Sequence, residues 1–230
     1  MQSEDRVIHF CVELIHAPAP VKRPVLQKLY FDLSQTRAAY DSIDLADLMQ
    51  ARFHSRRGKA QSLVLFLPDR VLMLEEWSDI PLSEFEEKVR VATPIIMQAR
   101  GVKQVIIHSA TVRSTFALTH YTDARVFLLD NACCLEGRIG PHFRRPIATG
   151  GLRLVFPETN EHPGNMHVNI ETFRHSANEI FVEAKAIFGR QPVVMPEVAP
   201  VITNLRKTRA FISESVFPFL QQFDSPQEAL

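Results

Sequence analysis

Alternating apolar and polar residues predict most of the strands of this chain. The clearest stretch is RVIHFCVELIH (residues 6–16), in which Ile8, Phe10, Val12 and Leu14 form the apolar set. Side chains of a strand point alternately to the two faces of a sheet, so this pattern predicts a strand with one buried face. Pro68-Asp69 is typical of a tight turn. Further strands of the first half are predicted at KLYFDL (28–33), SLVLFL (62–67) and RVLMLEEW (70–77).

A helical repeat follows these strands. Apolar residues recur four, three, four and three positions apart, at Phe85, Val89, Ala92, Ile96 and Ala99. This spacing predicts one buried face of a helix. Ser83 and Glu86 fit a capping box at its start, and Gly101 fits a left-handed residue at its end. Pro94 predicts a kink or a break within the helix.

The second half of the chain repeats this order of elements. A helix is expected from near Pro196, because proline is favoured in a first turn. Within this second helix, Arg209 interrupts the row of apolar residues that is given at the end of this paragraph. Strands are predicted at KQVIIHSATVRSTFAL (103–118), RVFLLD (125–130), GLRLVF (151–156), MHVNIETF (166–173) and EIFVEAKAIF (179–188), with RHSAN (174–178) as a hairpin loop. The apolar face of the second helix is predicted at Val198, Ile202, Leu205, Ile212, Val216 and Phe219.

Two stretches of the chain are nearly the same. HSRRGKAQSLVLFLPD (54–69) aligns with HFRRPIATGGLRLVFPE (142–158). Other pairs match in the same order: His9 with His108, Asp32 with Asp130, Glu75 with Glu171, and Trp77 with Phe173. The matches predict a tandem duplication of an antiparallel β-meander followed by a helix, with units 1–101 and 102–230.

The predicted fold class is α+β. Two meanders that each have one apolar face need a cover. We expect the two sheets to join about a pseudo-two-fold axis, with both helices packed on one face. QARGVKQV (98–105) is a direct connection from helix to strand and not a flexible linker. The two repeats are therefore expected to form one compact body.

The order of elements, with GVKQVIIHSATVR (101–113) as a strand after the middle helix, resembles an uncharacterised family of bacterial proteins of about this length. The family is sporadically distributed, and its members have two halves, each a β-meander with a helix. The resemblance covers the layout of most of the chain. It implies no known activity, and no catalytic residue is carried over from it.

Charge and cysteine content narrow the classes of function. Lys+Arg and Asp+Glu are 26 each among 230 residues. Proteins dedicated to nucleic acid usually carry a basic surplus, so zero net charge disfavours such a partner.

The chain has no apolar run of about 18 residues, so no membrane span is predicted. MQSEDRVIHF does not resemble a signal peptide, and three cysteines, an odd number, favour a reducing cytoplasm.

The repeated His-x-Arg-Arg pattern is the first candidate site. The anion-binding candidates are His54, Arg56, Arg57, His142, Arg144 and Arg145. If the two sets met near the axis, their guanidinium groups could hold a carboxylate or a phosphate. The plainer interpretation is that these charges protect an edge strand from pairing with other chains.

Glu75 and Glu171 are the second candidate site. Two carboxylates that met in a pocket could do acid/base chemistry. The plainer interpretation places both at solvated strand positions. No metal site is predicted, because the histidines and cysteines lack ligand spacing. No cofactor is predicted, because the chain has no glycine-rich phosphate loop.

These observations favour a non-enzymatic cytoplasmic protein that binds a partner protein or an anionic small molecule, or that serves as a scaffold. One alternative is an enzyme that acts on a phosphorylated or carboxylated substrate, with the arginines as clamps and a glutamate as base. Another alternative is a module that contacts nucleic acid through its arginines.

Overall fold

One large antiparallel sheet organises the molecule. A computed structural model describes residues 5–77, 80–135, 138–145 and 147–225. The strands are β1 Asp5–Ile15, β2 Ser42–Asp44, β3 Ala51–Arg57, β4 Ala60–Leu67, β5 Arg70–Glu76, β6 Gln104–Val105, β7 Ile107–Ala117, β8 Gly151–Phe156, β9 Asn165–Thr172, β10 Glu179–Phe188 and β11 Val193–Val194. Nine of the described strands form the sheet, and β6 pairs with β11 as a separate ribbon.

The strand order places the two halves of the chain side by side. The order is β2-β3-β4-β5-β1-β7-β10-β9-β8. β1 and β7 form the central seam, in a register that pairs Phe10 with Val112 and Leu14 with His108. The α+β class with a large antiparallel sheet is therefore confirmed, and the sheet is continuous across both halves.

The helices are α1 Arg23–Ser34, α2 Leu82–Ala99, α3 Ile139–Phe143, α4 Ala199–Phe211 and α5 Phe217–Gln221, with short 3₁₀ or π segments at Leu48–Gln50, Val126–Ala132 and Ile212–Val216. α2 and α4 cover the same face of the sheet. Phe10 of β1 stacks on Phe85 of α2. On the same face, His108 of β7 contacts Asn204 of α4. The main apolar core lies between this face and the helices.

The alternation in β1 correctly identified its buried face. Ile8, Phe10, Val12 and Leu14 are all buried. The helical spacing was equally informative, because Phe85, Val89, Ala92 and Ile96 have no exposed surface. Gly101 ends α2 in the left-handed region, at a φ of 69°.

The predicted start of α2 was wrong. Pro81 is its N-cap residue, without a side-chain cap, and Ser83 already lies inside the helix. Glu86 does not reach back to the helix terminus. It accepts two hydrogen bonds from Arg206 of α4, at 2.8 and 2.6 Å. The helix also continues through Pro94 without a break.

Two predicted strands are helical. KLYFDL (28–33) lies in α1, and RVFLLD (125–130) lies mainly in a π-helical segment. Short apolar runs do not separate strand from helix. In α1 the residues that decide the outcome are Leu26, Leu29 and Leu33, whose spacing of three and four forms a buried helical face.

Several of the aligned pairs do not occupy matching places. His54 lies on β3, but His142 lies in the short helix α3. His9 pairs with Arg113, whereas His108 pairs with Leu14, so the two histidines lie on opposite faces of the sheet. When two strands are aligned with an error of an odd number of residues, side chains that face the core in one strand are matched with side chains that face away from it in the other. The residue-by-residue alignment was therefore wrong at these pairs.

Shortening a side chain under the sheet should destabilise the fold measurably. Ile96→Val is expected to lower the free energy of unfolding by about 1 kcal/mol, because it removes one fully buried methylene. Ile95→Val, at the half-buried neighbouring position, should cost less. Urea denaturation measures both variants, and equal costs would contradict this assignment of the buried face.

Candidate functional site

A polar cluster lies where the apolar core meets the end of the strands. Ser62 of β4 and Glu75 of β5 are directly opposed in the ladder. They share the inward-facing parity of Val64 and Met73, so they point toward α2. Lys88 of α2 completes the cluster.

Three contacts hold the cluster together. The Ser62 hydroxyl donates to Glu75 Oε1 at 2.6 Å. Lys88 Nζ donates to the same carboxylate oxygen at 2.8 Å, and it also contacts Ser62 Oγ. Glu75 is only 4% exposed, and the Lys88 side chain is 14% exposed. A charge pair at this depth is little screened by solvent, so each charge depends on its partner.

Tyr40 adds an aromatic wall to the cluster. Lys88 Nζ lies 4.4 Å from the centre of the Tyr40 ring, within the range of a cation–π interaction. Burial raises the pKa of the Tyr40 hydroxyl, and the nearby Glu75 carboxylate raises it further. The phenol is therefore neutral at physiological pH, when it can both donate and accept a hydrogen bond.

The cluster opens into a cavity of about 870 Å³. Glu75, Ser62 and Lys88 all line it. The remaining charged residues of its wall are Arg37, Asp41, Arg57, Glu84 and Glu87. Glu87 pairs with Arg90 on the exposed side of α2. Among the described residues, no acidic group forms an ion pair with Arg37 or Arg57.

The first His-x-Arg-Arg set divides between the two faces of the sheet. Arg57 shares the parity of the buried Ala51 and Phe53, and it lines the cavity. His54 and Arg56 alternate with it and therefore lie on the other face. Only Arg57 of this set belongs to the candidate site.

The second set lies toward the opposite edge of the sheet. His142 lies in the short helix α3, Arg144 and Arg145 lie in the segment that leads from α3 to β8, and all three are exposed. β3 and β8 are seven strand positions apart, about 34 Å along the sheet at ~4.8 Å per strand. No cavity or ion pair in the described part of the chain joins the two sets, so their shared site stays a prediction.

The two predicted glutamates have different environments. Glu75 is buried in the cluster, so the interpretation of a solvated strand position was wrong for it. Glu171 is exposed on β9 and lies on the other face of the sheet, because Ile170 and Thr172 face the core. The structure does not bring the two carboxylates together.

Sequence analysis missed Ser62, Lys88 and Tyr40. A signal existed for Ser62, because the alternation of SLVLFL places it on the same face as Val64 and Phe66. The same argument applies to Glu75 beside Met73. A polar residue on an apolar face needs a partner, which predicts a buried polar contact. No pattern pointed to Tyr40, which lies in a connecting loop.

Among the described residues, the histidines and cysteines form no metal site, and two of the thiols are poorly suited to nucleophilic chemistry. Burial, followed by the nearby Glu13 carboxylate, raises the pKa of the Cys11 thiol to about 12. Burial also raises the pKa of Cys133. Neither effect favours a reactive thiolate. Across the described ranges, no three metal-ligating side chains cluster together, and no helix is long and apolar enough to cross a membrane.

Comparisons with known proteins leave the family open. No protein-family model matches the chain, and no curated protein matches it. Among solved structures, the chain is similar to one described as the di-domain ARO/CYC StfQ from the steffimycin biosynthetic pathway. The two are 7% identical with a TM-score of 0.22, over 94% of this chain and 96% of that chain. A likeness this weak carries no argument about function, and the resemblance to a bacterial family stays a prediction.

Proposed function

We propose that this chain is a non-enzymatic binding protein whose large cavity takes an anionic small molecule. The observation that carries the proposal is the pair Arg37 and Arg57, which line a cavity of about 870 Å³ and form no ion pair with any described residue. Arginine presents a planar fork of donors that fits a carboxylate or a phosphate.

The other charges of the cavity define the rest of the ligand. Lys88 is neutralised by Glu75, so it offers little net charge. Asp41 and Glu84 add carboxylates to the wall. A suitable ligand is therefore anionic at one end and carries hydroxyl or amino donors at the other. A partner protein that presents an acidic side chain would satisfy only the arginine end.

The buried cluster gives this cavity a rigid base. Ser62 and Lys88 both donate to one oxygen of Glu75, and each of the three side chains comes from a different element. Fixed side chains lower the entropy cost of binding. The free thiols Cys11, Cys133 and Cys134 are consistent with a reducing compartment, so a cytoplasmic location is part of the proposal.

Inorganic phosphate should stabilise the protein through Arg57. At a concentration 100 times its dissociation constant, a ligand stabilises by about 2.7 kcal/mol, which should raise the melting temperature of a chain of this length by roughly 5 to 10 °C. Arg57→Gln should remove most of this shift. The measurement is a thermal unfolding series in phosphate against chloride at equal ionic strength.

Two matched variants complete this experiment. Arg56→Gln removes the neighbouring charge on the other face of the sheet and should leave the phosphate shift intact. Arg145→Gln tests the predicted sharing of the site between the two sets. An unchanged shift in Arg57→Gln, or an equal loss in Arg56→Gln, would contradict the proposed site.

One contact favours an enzyme as the second candidate. The Ser62 hydroxyl lies 2.6 Å from the buried Glu75 carboxylate, which could accept its proton during attack on an acyl or phosphoryl group. Turnover of p-nitrophenyl acetate or p-nitrophenyl phosphate that disappears in Ser62→Ala would support this candidate. A nucleic-acid partner remains the least favoured, because the chain has no net positive charge.

An internal duplication with units 1–101 and 102–230 is part of the proposal, in a new register. Support comes from the helices, in which buried residues recur with the same spacing of four, three and four. They are Phe85, Val89, Ala92 and Ile96 in α2, and Val201, Leu205, Thr208 and Ile212 from α4 onward. The strand order, with β5 beside β1 and β10 beside β7, is consistent with a pseudo-two-fold axis.

This register places Lys88 opposite Asn204, so the buried ion pair would belong to the first unit alone. Superposition of the two units in an experimental structure tests the proposal. If Val89 falls one helical turn away from Leu205 after the two units are superposed, this register is refuted.

A further inference from the structure

A second cavity lies on the face of the sheet away from α2 and α4. It measures about 280 Å³, and residues of several neighbouring strands line it. His9 of β1 and Arg113 of β7 are directly opposed there. Phe181 of β10 lies further along the same face. This cavity shares no residue with the cavity beside Lys88.

Aromatic rings form much of its wall. Trp77 follows β5, and Phe173 and His175 lie in the turn between β9 and β10. The ring centre of Trp77 lies 6.3 Å from that of Phe173 and 5.9 Å from that of His175. Phe173 also stacks on Phe181, at 6.5 Å. The four rings give the cavity flat apolar surfaces, which favour a planar ligand.

The backbone at Trp77 is strained in a way that fixes this wall. Its φ is 53°, a left-handed conformation that a bulky side chain rarely adopts. Its N–H donates to the Ile8 carbonyl at 2.8 Å, which holds Trp77 against the first half of β1. Such strain costs on the order of 1–3 kcal/mol and persists mainly where the surroundings require it. Here it positions the indole over the cavity.

His9 supplies an unused hydrogen-bonding group to the same cavity. Its side chain is nine-tenths buried, and its Nδ1 has no hydrogen-bond partner within the described residues. Burial, followed by the Arg113 charge, lowers the pKa of His9 to about 4. The imidazole is therefore neutral at pH 7, and it can accept or donate one hydrogen bond according to its tautomer. An unpaired buried polar atom is costly unless a ligand or solvent satisfies it.

The charges of the lining balance one another. Arg113 donates to Glu183 at 2.6 Å and lies 3.9 Å from Glu76. Arg174 and Glu171 add one charge of each sign at exposed positions. The lining of this cavity therefore gives no net preference for a cation or an anion.

We propose that this cavity is a binding site for a small, uncharged, planar ring molecule that forms a hydrogen bond with the imidazole of His9. The aromatic walls provide the surface for the ring, and the imidazole provides the polar contact. The proposal does not depend on anion binding beside Lys88, because the two cavities lie on opposite faces of the sheet.

Fluorescence can report on this site directly, because Trp77 is the sole tryptophan of the chain. Three probes of matched shape separate ring recognition from charge: neutral benzamide, anionic benzoate and cationic benzamidine. We expect a saturable change of Trp77 emission with benzamide, at an affinity equal to or better than that of either charged probe. The absence of a saturable change, or a response to the charged probes alone, would overturn the proposal.

Variants at His9 and Phe173 test the two parts of the site. His9→Leu should weaken benzamide binding about tenfold, through loss of one hydrogen bond. His16→Leu is the matched control, because His16 is also buried and has an unpaired ring nitrogen but does not line this cavity. Should His9→Leu fail to fold, Phe173→Leu removes one aromatic wall in the turn that follows β9. Wild-type affinity in either folded variant, or an equal loss in His16→Leu, would refute the site.

Discussion

Acidification from pH 7 to pH 4 is expected to lower the free energy of unfolding by about 6 kcal/mol through His9 and His108 together. The pKa of each is lowered from 6.5 to about 4. One pKa unit corresponds to about 1.4 kcal/mol, so each histidine contributes about 3 kcal/mol. Burial is the largest cause for both residues, and the Arg113 charge adds to it at His9.

The sign follows from the state that binds the proton. Between pH 6.5 and pH 4 the unfolded chain protonates both histidines, while the folded protein keeps them neutral. Their contribution is fully present above pH 6.5 and is lost as the pH falls toward 4. The contact at His108 agrees with this state, because Asn204 Nδ2 donates to its Nε2 at 2.9 Å. Burial lowers the pKa of His16 as well, which adds to the same slope.

Urea denaturation at half-unit pH steps between 7 and 4 measures this loss. The double variant His9→Leu, His108→Leu should show a much flatter profile than the wild type. Replacement of His162, whose side chain is exposed, by Leu is the control for the loss of an imidazole as such. A wild-type slope in the double variant would mean that acid destabilises the protein through other groups.

Glu75→Leu is expected to destabilise the protein by about 3 to 5 kcal/mol. The substitution leaves the Lys88 ammonium largely buried and without its carboxylate, and uncompensated buried charges cost this much. The Ser62 hydroxyl loses its acceptor at the same time. The cost should appear as a lower urea midpoint with an unchanged dependence on urea concentration.

A double variant separates the charge from the loss of packing. Glu75→Leu with Lys88→Met removes both charges and should recover most of the stability, because an apolar pair of similar volume is often neutral. Glu87→Gln breaks an exposed ion pair of the same helix and should cost less than about 1 kcal/mol. No recovery in the double variant would show that the cluster stabilises through its hydrogen bonds and not through charge balance.

Local sequence patterns carried most of the information about the strands. Alternation identified β1, β4, β5, β7, β9 and β10 because each has one face on the core and one face away from it, and it also identified β8, although no residue of β8 is buried. The period of α2 was readable for the same reason, because a single helical face is buried. Short apolar runs failed, since LYFDL fits a strand by composition but belongs to α1.

The candidate site was only partly visible in the sequence. Arg57 and Glu75 were singled out for their repeated placement, and both do line the larger cavity. They were chosen because similar residues recur in the second half of the chain. They line the cavity because each lies on the core-facing side of its strand. Their supposed mates Arg145 and Glu171 lie elsewhere, because a short match does not specify which face or which strand a residue occupies.

The sequence by itself determined the α+β class, the seven long strands and the buried face of α2, since these depend on periodicities within one element. Only the tertiary structure decided that β1 and β7 form the seam and that Lys88 reaches Glu75 and Ser62. It also decided that Trp77 meets Phe173, although 96 residues separate them in the chain. Such contacts depend on strand order and on the twist of the sheet, which arise from packing across the whole molecule and leave no local pattern.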